Sequence, residues 1–149
     1  MRRRQKKSGQ LNDQLLRHVA RRFLGARTWC ELIQELDLKL EIDGVLCIYG
    51  ASYISAGVEG SSFVWIVTGD LPPSFVFGDC FATTREVLHA YSAKLIEWAD
   101  AIERSEPDMA SYMPVLYRDG NREVKPTIEM ARAVRMKAQA VETIIIPEI

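Results

Sequence analysis

The apolar positions Leu15, Leu16, Val19, Ala20, Phe23 and Leu24 recur at threes and fours, with Arg17, Arg21 and Arg22 to the other side. That period predicts an amphipathic, basic helix, started by Asn12 or Asp13 and ended by Gly25 in a left-handed conformation. A second stripe, Trp29, Leu32, Ile33 and Leu36, follows Thr28, and Glu31 stands three residues after that threonine. This is the signature of a capping box and predicts a second helix. Asp37–Ile42 alternates polar and apolar and reads as a strand, followed by the hairpin signal Asp43-Gly44. A competing reading lets Leu38–Ile42 end the helix and makes Val45–Ile54 the first strand. Val45–Tyr49 is more apolar and can run on past Gly50 to Ile54; residues 56–61 form a loop. Phe63–Val67 is almost wholly apolar, as a central strand is. Thr68-Gly69-Asp70 and Leu71-Pro72-Pro73 then make a tight connection to a short last strand, Phe75–Phe77, ended by Gly78-Asp79.

Beyond Thr83 the period returns to helical. Thr83 with Glu86 forms another capping box, and Val87, Leu88, Tyr91, Leu95, Trp98, Ala99 and Ile102 make a long apolar stripe stopped by Pro107. Asp108–Val124 reads as irregular, with a turn at Asp119-Gly120-Asn121. Pro126 suits the first turn of a last helix whose inner face is Ile128, Ala131, Val134, Ala138 and Val141. Thr143–Pro147 is too apolar to stand free in water, and is expected to add an edge strand or to dock on a partner. The resulting order is α-α-β-β-β-β-α-α. It describes an α+β domain with an antiparallel sheet of three to four strands, two N-terminal helices and two C-terminal helices. Residues 1–10 are expected to be a disordered basic arm, and 11–149 a single domain.

Composition changes this picture little. The 149 residues are 48% hydrophobic and 26% charged, the values of an ordinary soluble domain. Cys30, Cys47 and Cys80 show no ligand spacing, so neither a disulfide framework nor a zinc site is indicated, and a cytoplasmic setting is expected. No apolar run suits a transmembrane segment, and no apolar stretch follows the basic start as in a secretory signal.

Charge changes it more. The net charge of −1 conceals nine Lys/Arg against one acid in residues 1–27, and ten against nineteen in 28–149. Either the basic arm finds an anionic partner, or the acidic body finds a cationic one, or the arm lies on its own body.

Few residues offer chemistry. Asp70 and Asp79 end successive strands, so both can reach one rim of the sheet, with His89 and Glu86 from the following helix; such carboxylates hold a divalent cation or share a proton. The plainer reading is turn chemistry, because no DxD, HxxE or HExxH spacing is present and no metal or cofactor is called for. Cys30, in the first turn of the second expected helix, would have its pKa lowered by the helix dipole. Packing beside Trp29 and Leu32 would instead make it a quiet core thiol. Cys47 reads as core, and Cys80 as a loop thiol. Trp29, Trp65 and Trp98 sit at apolar periodic positions and read as core rather than as base-stacking platforms. The glycines form neither a Walker motif nor a dinucleotide fingerprint.

The run Trp65-Ile66-Val67-Thr68-Gly69-Asp70-Leu71-Pro72, preceded by Trp29-Cys30 and followed by the helix Arg85–Glu103, resembles a family of small bacterial α+β domains of unknown function. The likeness spans roughly residues 28–105. It implies a fold and a bacterial source, and no activity or catalytic residue.

The leading expectation is a non-enzymatic protein-binding module, of the kind an immunity or antitoxin-like protein provides when it covers a basic toxin. Partner contacts are expected from Arg2, Arg3, Arg4, Lys6 and Lys7, from Glu97, Asp100 and Glu103, and from Ile144, Ile145 and Ile146. A homodimer is the other protein partner considered. The alternatives are a metal-dependent hydrolase using Asp70, Asp79 and His89, and nucleic-acid binding through Arg2–Lys7 and Arg17–Arg27.

Overall fold

Gly69 is where the sheet closes most tightly. In the computed structural model its φ is +141°, and a Cβ there would overlap the Val45 carbonyl oxygen and lie 2.6 Å from Leu46 Cα. The structure describes residues 14–15, 17–43, 45–70, 73–104, 117–118, 122–123 and 127–149. Strands β1 (Leu32–Ile42), β2 (Leu46–Ile54), β3 (Ser61–Gly69) and β4 (Ser74–Val76) form one four-stranded sheet in the order β1-β2-β3-β4. β1 pairs antiparallel with β2, and β2 with β3. Residues 14–15 and 17–25 are helical and make up α1; α2 is Thr84–Glu103 and α3 is Ile128–Ala140. A two-residue ladder, β5 (Tyr117–Arg118) with β6 (Arg122–Glu123), lies between α2 and α3 in sequence. The fold is α+β.

The chain forms two compact units, Met1–Pro73 with Phe77–Phe81, and Ser74–Val76 with Ala82–Ile149. In the first, β2 and β3 are in unbroken register from Leu46↔Gly69 to Ile54↔Ser61. Paired residues share a face. Leu46, Ile48, Gly50, Trp65 and Val67 therefore lie on one side, and Cys47, Tyr49, Ala51, Val64 and Ile66 on the other; all are buried. Both faces of these strands are covered, which is why they read as continuous apolar runs. Gly50 leaves room for the Phe63 ring, whose tip would stand 2.9 Å from a Cβ there. On the Cys47 face, Trp29 meets Tyr53 with ring centroids 5.1 Å apart. From the side of the sheet shared with Phe63, the Trp65 indole N–H donates to the Asp79 carbonyl at 3.1 Å.

The second expected helix does not exist: Leu32–Ile42 is strand throughout, so one N-terminal helix precedes the sheet among the described residues. Thr28 lies in a turn, and the Glu31 amide donates to the Ile54 carbonyl at 2.8 Å, which starts the ladder. The helical spacing of Ile33 and Leu36 comes from a bulge. Register slips between Ile33 and Glu35, so Gln34 is extra, and Ile33, Leu36 and Leu38 share a face although they are not evenly two apart. A further slip lies between Leu38 and Leu40. The β1–β2 connection closes on Ile42↔Leu46 and so is three residues long, with Gly44 outside the described residues. Gly25 is not left-handed either; positive φ occurs at Gly57, Gly60 and Gly69. Helix α1 ends instead on Ala26 N–H to Arg22 O and Arg27 N–H to Leu24 O, both 3.0 Å.

In the second unit the Thr83 capping box holds: its hydroxyl accepts from the Glu86 amide at 3.1 Å. Thr127 caps α3 in the same way by accepting from Met130 N–H, so Pro126 precedes the cap rather than filling the first turn. α2 and α3 pack together, and Lys94 of α2 reaches β4 by donating to the Phe75 carbonyl at 2.8 Å. Half-buried there, Lys94 is held below the usual lysine range by desolvation. The tail after α3 is no strand. It continues as a wide π-type turn over Val141–Ile145 and a tight turn over Ile146–Glu148. Ile146 is 3% exposed, while Ile144 is 64% exposed.

Gly69→Ala should destabilise the chain by at least ~2 kcal/mol, because strain at positive φ adds to backbone overlap. Gly57→Ala, at φ +73° with open space around it, should cost only about 1 kcal/mol. Urea melts of the pair check this, and equal losses would remove the claimed close approach. The neighbouring Thr68 hydroxyl is buried and lacks a hydrogen-bond partner among the described residues. Thr68→Val should therefore leave the same shape without the desolvated hydroxyl, and raise stability by roughly 1 kcal/mol in the same melts.

Candidate functional site

Among the described residues the sheet ends on β1, whose strand neighbour is β2. Along this edge Glu31, Glu35, Asp37, Glu41 and Asp43 are all exposed, against one cation, Lys39. The register puts Glu35 and Asp37 on one face, opposite Ser52 and Gly50, and Glu41 on the other, opposite Cys47. The edge is thus acidic on both sides. Its backbone is partly guarded: Arg17 of α1 donates to the Leu36 carbonyl at 2.5 Å, and both register slips twist the strand. Ser61 ties Gln34 of the first bulge by a hydroxyl-to-amide bond. What β1 presents is a row of carboxylates more than an open ladder.

The acids expected at the far end of α2 are placed differently. Arg135 of α3 forks onto Asp100 at 2.6 Å and Glu103 at 2.9 Å, and Arg104 adds a second cation 3.6 Å from Asp100. The two carboxylates hold the guanidinium above its usual range, Asp100 chiefly through its hydrogen bond. Asp100 and Glu103 therefore join α2 to α3. Glu97 is exposed, one turn from Lys94. Of the tail residues, Ile144 is exposed, Ile145 half-buried and Ile146 buried. Arg2, Arg3, Arg4, Lys6 and Lys7 lie outside the described residues.

Asp79 makes a turn: its Oδ1 accepts from the Phe81 amide at 2.9 Å, two residues on. The Asp70 amide donates to the Val45 carbonyl at 2.9 Å, which finishes the β2–β3 hairpin beside Gly69. Among the described residues no three His, Cys, Asp or Glu side chains are grouped to hold a metal ion. Cys30 sits in no helix. Burial pushes its thiol up rather than down, which corrects the dipole reading. Cys47 is buried and Cys80 exposed.

His89 engages a residue that the sequence did not single out. Its Nδ1 lies 2.9 Å from Glu142 Oε2, and the buried Ser92 hydroxyl donates to the same carboxylate. Glu142 stands in the wide turn after α3, where Thr143 bonds back to the Gln139 carbonyl at 2.9 Å. Ser92 bonds the carboxylate and not the ring, so the trio is no nucleophile–base pair. It is a latch that holds the turn on α2, with the imidazole 52% exposed. Fifty-three residues separate His89 from Glu142, and no local pattern announces such a pairing. No protein-family model matches the chain, and neither a curated protein nor a solved structure is detectably similar to it.

The Glu142 carboxyl is held below its ordinary value of 4.5, first by the Ser92 hydroxyl and then by His89, against partial burial. A depressed carboxylate adds stability above that ordinary value, and the gain is lost as pH falls through the folded-state value. Glu142→Gln should therefore be less stable than the parent near neutrality, by a gap that closes as pH falls below 4.5 and through the folded-state value. Urea midpoints across that range test it; a gap independent of pH would show that the carboxylate charge is idle.

Proposed function

We propose that this chain is a non-enzymatic protein-binding module that takes a cationic polypeptide on the acidic edge strand β1. The observation that carries the reading is the charge of that edge: Glu35, Asp37 and Glu41 are exposed on β1 against one ammonium (Lys39), Glu31 and Asp43 are exposed just beyond its two ends, and β2 is its strand neighbour among the described residues. Like charges two residues apart on one face repel, and a strand that only needed to stay soluble would mix both signs. A basic partner converts that repulsion into attraction and gains specificity at contact. An immunity or antitoxin-like role, in which an acidic surface blocks the cationic site of a toxin, has this chemistry. The α2 acids Asp100 and Glu103 serve Arg135 and so are poor candidates for the same role.

Exposed Leu32 and Leu38 alternate with the acids and offer apolar contact alongside the charge. Hydrolysis through Asp70, Asp79 and His89 has no comparable support, since Asp79 caps a turn and His89 engages Glu142.

A lysine- and arginine-rich peptide of about 20 residues should bind the full chain and weaken steeply with salt. Neutralising Glu35, Asp37 and Glu41 together, as Glu35→Gln, Asp37→Asn and Glu41→Gln, should reduce affinity at low salt by roughly tenfold or more. Glu59→Gln with Glu129→Gln, elsewhere on the chain, should leave it unchanged. Titration calorimetry at two ionic strengths reads both, and equal losses in the two variants would defeat the assignment to β1.

A further inference from the structure

A face of the opposite sign lies on α1. With 100° between successive helical residues, Ala20, Phe23 and Leu24 fall on one arc, and all three are buried. The outer arc carries Gln14, His18, Arg21, Arg22 and Gly25, all exposed. Residues 14–27 contain four arginines and no acid.

Most cations of the described structure have an internal partner. Arg17 bonds the Leu36 carbonyl, and Arg27 bonds the Phe23 carbonyl while lying over the Phe23 ring. Arg85 bonds the Ile149 carbonyl, Lys94 bonds Phe75, and Arg104 and Arg135 pair with α2 acids. The Arg21 and Arg22 guanidinium groups have no hydrogen bond or ion pair among the described residues. They stand side by side on a convex, open helix.

We infer that the outer face of α1 is a contact surface for the phosphate backbone of nucleic acid, with Arg21 and Arg22 as its phosphate ligands. The face is about 17 Å long at 1.5 Å per residue, and duplex DNA presents on the order of ten charges over that length. An extended polyanion therefore fits, whereas a lone phosphate would find a convex surface and no enclosing donors. A lipid surface fits less well, because the helix would have to insert an apolar face and that face is already buried. Among the described residues of α1, Leu15 and Val19, at the flank, are the large apolar side chains that are exposed. Contacts of this kind position nucleic acid without reading its sequence. The inference goes beyond the acidic-edge reading and does not depend on it, since the two use different residues and opposite charges.

Fluorescence anisotropy of the full chain with a labelled duplex of about 20 base pairs tests it, across a salt series. The parent should bind at low salt. Arg21→Gln with Arg22→Gln should weaken binding roughly tenfold and lower the slope of log affinity against log salt by about 2. Arg21→Lys with Arg22→Lys should retain both, because backbone contact needs charge rather than a guanidinium fork. Should the double glutamine variant melt early, Arg22→Gln alone should lower the slope by about 1. An unchanged slope in the glutamine variants would overturn the inference, as would absence of duplex binding in the parent. Retention on phosphatidylserine vesicles in place of the duplex would also overturn it.

Discussion

The close passage of Gly69 over the start of β2 is the constraint on which the first unit depends. Only a residue without Cβ can sit at φ +141° against Val45 and Leu46, and the Asp70 amide then reaches the Val45 carbonyl. That contact fixes Leu46 opposite Gly69, and through it every later pair up to Ile54 opposite Ser61. A slip of one residue would send Trp65 and Val67 to the other face, together with the interactions they make. On β1 it is the register slip between Leu38 and Leu40 that puts Glu41 on the side opposite Glu35 and Asp37. The acidity of both sides of the edge is thus a result of that bulge.

The latch and the fork in the second unit use charge for a different end. Arg135 with Asp100 and Glu103 joins α2 to α3, and Glu142 with His89 and Ser92 joins the wide turn to α2. Charge-assisted bonds at partly exposed sites add modestly to stability, yet they fix which helix faces meet. Carboxylates committed in this way are poor partner sites, because a partner would have to displace an arginine already in place.

Much of this was legible in the sequence, and the exceptions have identifiable causes. The Thr83–Glu86 box, the apolar β3 run and the α2 stripe were read correctly because local propensity and tertiary packing agree there. Thr28, Glu31 and the stripe to Leu36 also looked helical, and failed. A bulge changes the period of a strand from two to something nearer a helical turn, and β1 pairs only on one side, so its pattern is weak. The tail failed differently. Three successive isoleucines favour a strand by propensity, but α3 continues into a wide turn that buries Ile146 and delivers Glu142. His89 could not be matched to Glu142 by spacing, since the pairing is made by the packing of α2 on the turn after α3.

The two charged surfaces of the first unit are close enough to modify each other. Arg17 anchors α1 at the middle of β1, and Arg21 and Arg22 lie about 6–8 Å further along the helix axis. Arg17 itself touches β1, and this step along α1 is no longer than the Debye length of about 8 Å at physiological salt. The positive field of α1 and the negative field of β1 therefore overlap, and at long range each dilutes the other. The far field of the first unit is therefore weak, and close to either surface the nearest charges set the sign. A net charge of −1, built from strongly unequal neighbouring segments, has this consequence.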